Sequence, residues 1–271
     1  MAILNKTKEI LPFIPGYVVY MRGDKMIVRA KGSVDKKRRN TDPAFTAVRR
    51  NNTIFAQAAT LNKCIRRAFP SLIGTFGDST LHGRLQKCCY EIIKQYVFFR
   101  VDDSKERSIA AFTLKNYAEP LLGFCLGKTQ LSSVCMPQDL KVAMDAKRQK
   151  LKWDLSIFKE SGLVATPAKA THVRFLLGGL KVPPEEIVFE GETMPGIFGE
   201  IVYKEVLSGA IALDTFSGTE LPLCLKLDSF MKVGKHDSLL AVSGILFYKG
   251  IGKELVLMAE DCAVGFVMVD G

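Results

Sequence analysis

Side chains that could bind a metal occur along the chain without a shared motif. Seven cysteines lie at irregular spacings: Cys64, Cys88, Cys89, Cys125, Cys135, Cys224 and Cys262. No two of them form a Cys-x-x-Cys pair, and the three histidines His82, His172 and His236 are far apart in sequence. Zinc sites usually draw their ligands from closely spaced pairs. We therefore expect no metal site, and we interpret most cysteines as small core residues in a reducing compartment.

Two pairs of adjacent carboxylates, Asp102-Asp103 and Glu185-Glu186, are the acidic groups best placed for general acid and base catalysis. Neighbours in sequence point in different directions on a helix or a strand, so neither pair is a natural dyad, and both fit loop charges better. The glycine-rich phosphate and dinucleotide loops, the Gly-x-Ser-x-Gly elbow and the His-Glu-x-x-His helix are absent from the sequence. The sequence therefore predicts a protein that is not an enzyme and that uses no cofactor.

Positive charge is concentrated at the front of the chain. The net charge is +10, with +11 in residues 1–70, +4 in residues 71–150 and −5 in residues 151–271. This pattern predicts a surface that binds a polyanion such as nucleic acid, or an acidic partner surface; a merely solvated face is the simpler alternative. Its candidate residues are Lys36, Lys37, Arg38, Arg39, Arg49, Arg50, Lys63, Arg66 and Arg67.

The front half carries the signals of a hairpin followed by helices. Two β-prone runs, residues 17–20 and 26–29, flank the turn residues 22–25. Asp42 and Pro43 are typical of a helix start, and apolar residues then recur at helical spacing as far as Pro70. This stripe consists of Phe45, Val48, Phe55, Ala58, Ala59, Asn62, Ile65 and Phe69. A second helix is predicted from about Ser79, with the stripe Leu81, Leu85, Cys88, Cys89, Ile92, Ile93 and Tyr96.

From about Lys150 the apolar period changes to two, which indicates strands. Trp153 lies in the first of them, residues 151–157, and we interpret it as a core anchor. Further strands are predicted at residues 173–180, 201–206, 211–213, 221–227, 239–248, 255–258 and 263–269. The fold class is α+β: an N-terminal β-hairpin and two-helix region, residues 1–146, followed by a C-terminal antiparallel β-sandwich domain, residues 147–271. Residues 97–147 receive no firm assignment.

Two stretches resemble a protein family of about this length that recurs in Bacteroidota genomes. The first comprises residues 28–32, 39–45 and 49–55, and the second comprises residues 167–175 followed by residues 244–248. The resemblance implies a bacterial origin and the same order of hairpin, helices and β domain. It implies no activity, so it assigns no functional residue.

Taken together, these features favour a non-enzymatic structural or self-assembling protein whose basic front contacts the acidic back of another copy. One alternative is a nucleic-acid-binding protein that uses residues 31–67. Another is a β-sandwich module that recognises a protein or a carbohydrate.

No apolar run approaches the roughly 18 residues that span a bilayer, and Pro12 and Pro15 interrupt the N-terminal apolar stretch. We therefore expect a cytoplasmic protein without a membrane span.

Overall fold

The computed structural model of the chain describes residues 14–32, 35–102, 112–183, 201–216, 222–227, 231–234, 236–267 and 269–270. Its contacts divide the chain into unit 1, Met1–Asn51, and unit 2, Asn52–Gly271. The helices are α1 (Lys36–Thr41), α2 (Thr46–Ala68), α3 (Pro70–Phe76), α4 (Leu81–Asp102) and α5 (Phe158–Ser161). The strands are β1 (Tyr17–Arg22), β2 (Lys25–Ala30), β3 (Val142–Met144), β4 (Lys150–Trp153), β5 (His172–Val182), β6 (Val202–Leu207), β7 (Ile211–Ala212), β8 (Leu223–Lys226), β9 (Ser238–Ile251), β10 (Glu254–Leu257), β11 (Ala263–Val267) and β12 (Val269–Asp270).

The predicted hairpin of unit 1 is confirmed. β1 and β2 pair in antiparallel register with Arg22 opposite Lys25, so Gly23 and Asp24 form the turn. Gly23 has a φ of +62°, a conformation that a type II′ hairpin turn requires at its first position and that glycine adopts without strain.

The helix predicted after Asp42 begins in two steps. The Asp42 carboxylate accepts a hydrogen bond from the Ala44 backbone N–H at 2.9 Å, and Pro43 opens a short 3₁₀ turn, Pro43–Phe45. The α-helical part, α2, follows directly. Pro70 ends this helix as predicted, but it also opens α3, because proline is well tolerated in the first turn of a helix.

The apolar stripe predicted for the second helix is confirmed in α4. Its members are buried, except for the half-buried Cys88. The stripe predicted for α2 is partly wrong, because Phe55 is 57% exposed. The buried face of α2 instead begins at Ile54, and one residue corresponds to a rotation of about 100° around a helix. The residues buried on α2 are Ile54, Gln57, Ala58, Leu61, Asn62 and Ile65.

A large antiparallel sheet forms the centre of unit 2. Its strand order is β10-β9-β5-β6, and β11 and β7 add to β9 and β5. Most residues of β5 and β9 are buried, because both faces of the sheet are covered. One face shares a core with α2, α3 and α4 through side chains such as Leu176, Leu180 and Val242.

The other face of the large sheet packs against a small sheet with the order β12-β3-β4-β8. Leu151 and Trp153 of the small sheet share this second core with Phe175 and Ile245 of the large sheet. The predicted α+β fold with a C-terminal β-sandwich is therefore confirmed. The small sheet has one parallel pair, β12 with β3.

The strand predicted for residues 151–157 ends early, at Trp153. The carboxylate of Asp154 accepts a hydrogen bond from the Ser156 backbone N–H at 3.0 Å, and a 3₁₀ turn, Leu155–Ile157, follows. Aspartate commonly starts such turns because its side chain satisfies a backbone donor two residues later.

The predicted domains 1–146 and 147–271 mark a change from mainly helical to mainly β sequence, and they stay a prediction. The contacts place residues 52–271 in one unit, since the helices and the large sheet bury one common core.

Gly178 in β5 provides a test of this packing. A Cβ atom at Gly178 would lie 2.6 Å from the ring of Tyr203 on β6, which packs edge to face on Phe69 at 5.4 Å. We expect Gly178→Ala to lower the free energy of unfolding by about 2 kcal/mol, a typical cost of overpacking. Urea denaturation would measure it. Gly209→Ala, with open space around its Cβ, should change stability little. Equal effects of the two substitutions would contradict the packing of Tyr203.

Candidate functional site

The densest basic cluster forms a short helix, α1, which the sequence analysis did not predict. Lys36, Lys37, Arg38 and Arg39 are all exposed. Consecutive helical residues are rotated by about 100°, so the four cationic side chains project in different directions from the helix axis. Lys36 and Arg39 are neighbours on one side because they are three residues apart.

Two of the predicted arginines in unit 1 are held by local contacts. Arg38 forms an ion pair with Asp42 at 3.0 Å. Arg49 donates hydrogen bonds to the backbone carbonyls of Arg39 and Asp42, both at 2.9 Å, and to Thr46 Oγ1 at 3.0 Å. The Ala44 N–H, the Arg38 guanidinium and the charge of Arg49 hold the pKa of Asp42 below its usual value. Arg49 therefore stabilises the end of α1, a common role of basic side chains near a helix C-terminus.

Unit 1 exposes Arg50, which was predicted as a site residue. It also exposes three hairpin cations that were not predicted: Arg22, Lys25 and Arg29. The guanidinium of Arg29 lies 5.9 Å from the ring centre of Tyr20. Alternation along β1 and β2 places these hairpin cations on one face, and that alternation is a signal available in the sequence.

The remaining predicted residues lie in unit 2, near the C-terminal end of α2. Lys63 and Arg67 are exposed, and their spacing of four residues places them on one helix face. Arg66 donates a hydrogen bond to Asn62 Oδ1 at 3.0 Å, and the amide nitrogen of the buried Asn62 contacts Gln86 Oε1 at 3.0 Å. Arg66 thus supports a polar network between α2 and α4, whereas Lys63 and Arg67 project into solvent.

The cysteines show little sign of chemical activation. No disulfide joins any of the seven. Burial raises the pKa of Cys88, Cys89 and Cys125, and it raises that of Cys135 to about 12 and that of Cys262 to about 11. These five thiols are therefore protonated at neutral pH, and the thiolate is the nucleophilic form. Among the described residues, no group of three or more His, Cys, Asp or Glu side chains is arranged to hold a metal ion.

The remaining side chains that could take part in chemistry are the paired carboxylates, Trp153 and Tyr203. The carboxylates of Asp103, Glu185 and Glu186 lie outside the described residues. Trp153 has no exposed surface, so its ring belongs to the core and offers no platform to a ligand. Burial, and a 2.6 Å hydrogen bond donated to Glu205, raise the pKa of Tyr203.

Within the part of the chain that the structure describes, no helix is both long enough and apolar enough to cross a membrane. The arrangement offers exposed cations in unit 1 and buried, protonated thiols in unit 2. No known protein family, no curated protein and no solved structure matches the chain, and the resemblance described above stays a prediction.

Proposed function

We propose that this protein is a non-enzymatic, self-assembling structural protein, in which unit 1 of one copy contacts an acidic surface of the next. The observation that supports this most is the composition of unit 1, which has 12 basic and 4 acidic residues among 51 and exposes the cations of α1. The back of the chain has the opposite net charge. Complementary charges on two different surfaces favour head-to-tail contacts, which can continue into open arrays.

The hairpin of unit 1 adds an apolar component to this contact. Tyr17, Val19 and Met21 share one face with their cross-strand partners Met26, Val28 and Ala30. Tyr17 and Met26 are each about half exposed, at 51% and 52%. A two-stranded hairpin is at best marginally stable alone, and its open edges can pair with another chain. Val19 on this face is already buried, whereas Val28 is 44% exposed. Association would therefore bury the exposed part of the face and stabilise the hairpin.

Several described carboxylates of unit 2 could receive unit 1 of another copy. Glu260 and Asp261 are adjacent and exposed, in the short 3₁₀ turn that precedes β11. No described cation lies within ion-pair distance of either of them. We take this pair as the first recipient to test. The proposal places the protein in the cytoplasm, a reducing compartment, because its cysteines form no disulfide.

Charge reversal tests this proposal. We expect wild-type protein to form oligomers at low salt and to dissociate at about 1 M salt, where the Debye length falls to about 3 Å. Lys36→Glu with Lys37→Glu should weaken association about ten-fold or more. Combining these substitutions with Glu260→Lys and Asp261→Lys should restore it. Light scattering and sedimentation velocity at two salt concentrations would measure the mass.

The matched control is Lys87→Glu with Lys128→Glu, which changes the charge equally at exposed positions of unit 2. This control should assemble like the wild type. A monomer at high concentration and low salt would overturn the proposal, and restored assembly in the charge-swapped protein would identify the recipient.

A second candidate function is nucleic-acid binding by residues 31–67. The exposed cations of α1 and Arg50 support it, and Tyr20 beside Arg29 extends the basic region of unit 1 to an aromatic ring that could stack on a base. When the protein is purified at low salt for these measurements, co-purifying nucleic acid would raise the absorbance at 260 nm relative to that at 280 nm. Replacing Lys36, Lys37, Arg38 and Arg39 with alanine should then remove it.

A further inference from the structure

The outer face of the small sheet is basic, although the back of the chain is acidic overall. β4 turns Leu151 and Trp153 into the core and exposes Lys150 and Lys152, as strand alternation requires. β8 alternates in the same way. The exposed cations of this surface, which we call the lysine face, are Lys141, Lys150, Lys152 and Lys226.

The strand register places like charges together on the lysine face. Lys150 lies directly opposite Lys226, and residues directly opposite in antiparallel strands have Cβ atoms about 5 Å apart. Such a pair of like charges is unfavourable for the sheet. An anion bound between the two ammonium groups would relieve their repulsion.

Small residues surround Lys152. Its cross-strand neighbours are Ala143 on β3 and Cys224 on β8. An open depression of about 510 Å³ lies beside the lysine on the Ala143 side, and it is lined by Lys141, Ala143, Lys152, Asp154, Ser156 and Pro222. An extended ligand could therefore approach the sheet and reach the ammonium groups.

Two described carboxylates, Asp145 and Asp154, lie near the lysine face and offset only part of its charge. No described carboxylate lies within the 4.0 Å of an ion pair with its four lysines. Asp145 Oδ1 accepts the backbone N–H groups of Gln149 and Lys150 at 2.6 and 2.7 Å, and these bonds, together with the charges of Lys150 and Lys152, hold its pKa below the usual value. Asp154 accepts hydrogen bonds from the Ser156 backbone N–H and hydroxyl and keeps its negative charge. Four lysines against two carboxylates leave the face an excess of positive charge for an external anion.

We propose that the lysine face binds the phosphate groups of a linear phosphate polymer, with a nucleic-acid backbone as the first source to test. Lysine ammonium groups act as point charges and bind phosphate without demanding a fixed geometry. Among the described residues, no aromatic side chain lines the depression, so we expect contacts to phosphates and little discrimination between bases. This inference concerns unit 2 alone, and it holds whether or not the protein self-assembles.

Cys224 is a built-in reporter for this proposal. It is exposed, whereas Cys64 and Cys88 are half-buried and the other four cysteines are buried. A neutral maleimide should therefore modify Cys224 first, and a phosphate polymer on the lysine face should slow that reaction. Mass spectrometry of the peptide that contains Cys224 would measure the rate of this reaction.

Binding is measured by fluorescence anisotropy with a short labelled DNA duplex in one arm and inorganic polyphosphate as competitor in another. Four phosphate contacts predict a log–log salt slope of about −3.6, or about 150-fold weaker binding between 50 and 200 mM salt. Lys152→Gln with Lys226→Gln should reduce the slope to about −1.8, so that binding by this variant weakens only about 12-fold between 50 and 200 mM salt. Both lysines face solvent, so the core should stay intact.

The matched control is Lys249→Gln with Lys253→Gln, which removes two exposed cations from the β9–β10 hairpin, outside the small sheet, and should leave the slope unchanged. Duplex binding with protection of Cys224 supports a nucleic-acid ligand, and protection by polyphosphate alone supports the inorganic polymer. The proposal is overturned if neither polymer protects Cys224 at low salt. It is also overturned if the variant and the control bind equally, or if poly-glutamate protects Cys224 as well as the phosphate polymers do.

Discussion

Trp153→Ala is expected to lower the free energy of unfolding by about 4 kcal/mol, the usual range for a fully buried aromatic residue. The Trp153 side chain has no exposed surface and packs edge to face on Phe175 at 5.6 Å. Because Trp153 belongs to the small sheet and Phe175 to the large one, the substitution opens a cavity between the two sheets. Trp153 is the one tryptophan of the chain, so the variant has no tryptophan fluorescence with which to follow unfolding. Urea denaturation monitored by far-ultraviolet circular dichroism would measure the loss instead.

Two further variants separate the contributions of Trp153. Its indole N–H donates a hydrogen bond to the Asp139 carbonyl at 2.7 Å. Trp153→Phe keeps an aromatic ring but leaves that buried carbonyl unpaired, so we expect a loss of about 2 kcal/mol. Lys152→Ala, one residue earlier and exposed, should change stability by less than about 0.5 kcal/mol. A Trp153→Ala loss as small as that of Lys152→Ala would refute the packing of the two sheets.

Arg84→Ala is expected to lower the free energy of unfolding by about 3 kcal/mol, because it leaves several backbone carbonyls without their donor and removes the cation that pairs with a carboxylate. The Arg84 guanidinium donates hydrogen bonds to the carbonyls of Cys125 at 2.7 Å and Leu126 at 3.0 Å, and it pairs with Asp78 at 3.0 Å. It also lies 5.0 Å from the ring centre of Phe124. This side chain therefore ties α4 to the loop that precedes β3.

Arg84→Lys is the informative companion, because lysine keeps the charge but lacks the planar fork that serves several acceptors at once. We expect it to recover less than half of the loss. Lys87→Ala, on the exposed side of the same helix, should be close to neutral. If Arg84→Lys proves as stable as the wild type, the charge matters and the carbonyl contacts do not.

At acid pH, the free energies of unfolding of the wild type and of Arg84→Ala should differ less than at neutral pH. Hydrogen bonds from Thr80, together with the charge and hydrogen bond of Arg84, hold the pKa of Asp78 below its usual value. A lowered carboxyl pKa stabilises the folded state at neutral pH, and that contribution is lost as the pH falls through the folded-state pKa. We therefore expect a larger stability gap at about pH 7 than at about pH 3. A gap independent of pH would exclude the Asp78 pair as a contributor.

The parts of the fold that the sequence predicts well depend on near neighbours. Asp42 caps the 3₁₀ turn before α2, Gly23 forms its hairpin turn, and the stripe of α4 is buried as its spacing predicts. These features arise within a few residues, because helix and strand periodicity and turn geometry are local properties of the backbone. Phe55 shows the limit of such reasoning. Its spacing fits a helical stripe, but the packing of α2 turns its face to solvent.

The basic cluster illustrates the same limit for function. Counting charges correctly identifies residues 31–67 as basic, but it does not distinguish the exposed Lys36 from Arg49, whose donors are occupied by the end of α1. Hydrogen bonding in the folded chain decides which cations remain available to a partner.

By itself, the sequence determined the order of hairpin, helices and strands, the basic front and the acidic back. The tertiary structure alone decided that β5 and β9 are covered on both faces, and that Lys150 lies opposite Lys226 across 76 residues of sequence. The physical reason is that local patterns follow backbone geometry, whereas the pairing of distant strands depends on which buried surfaces fit together. The lysine face is a product of that pairing, since none of its strands would indicate it alone.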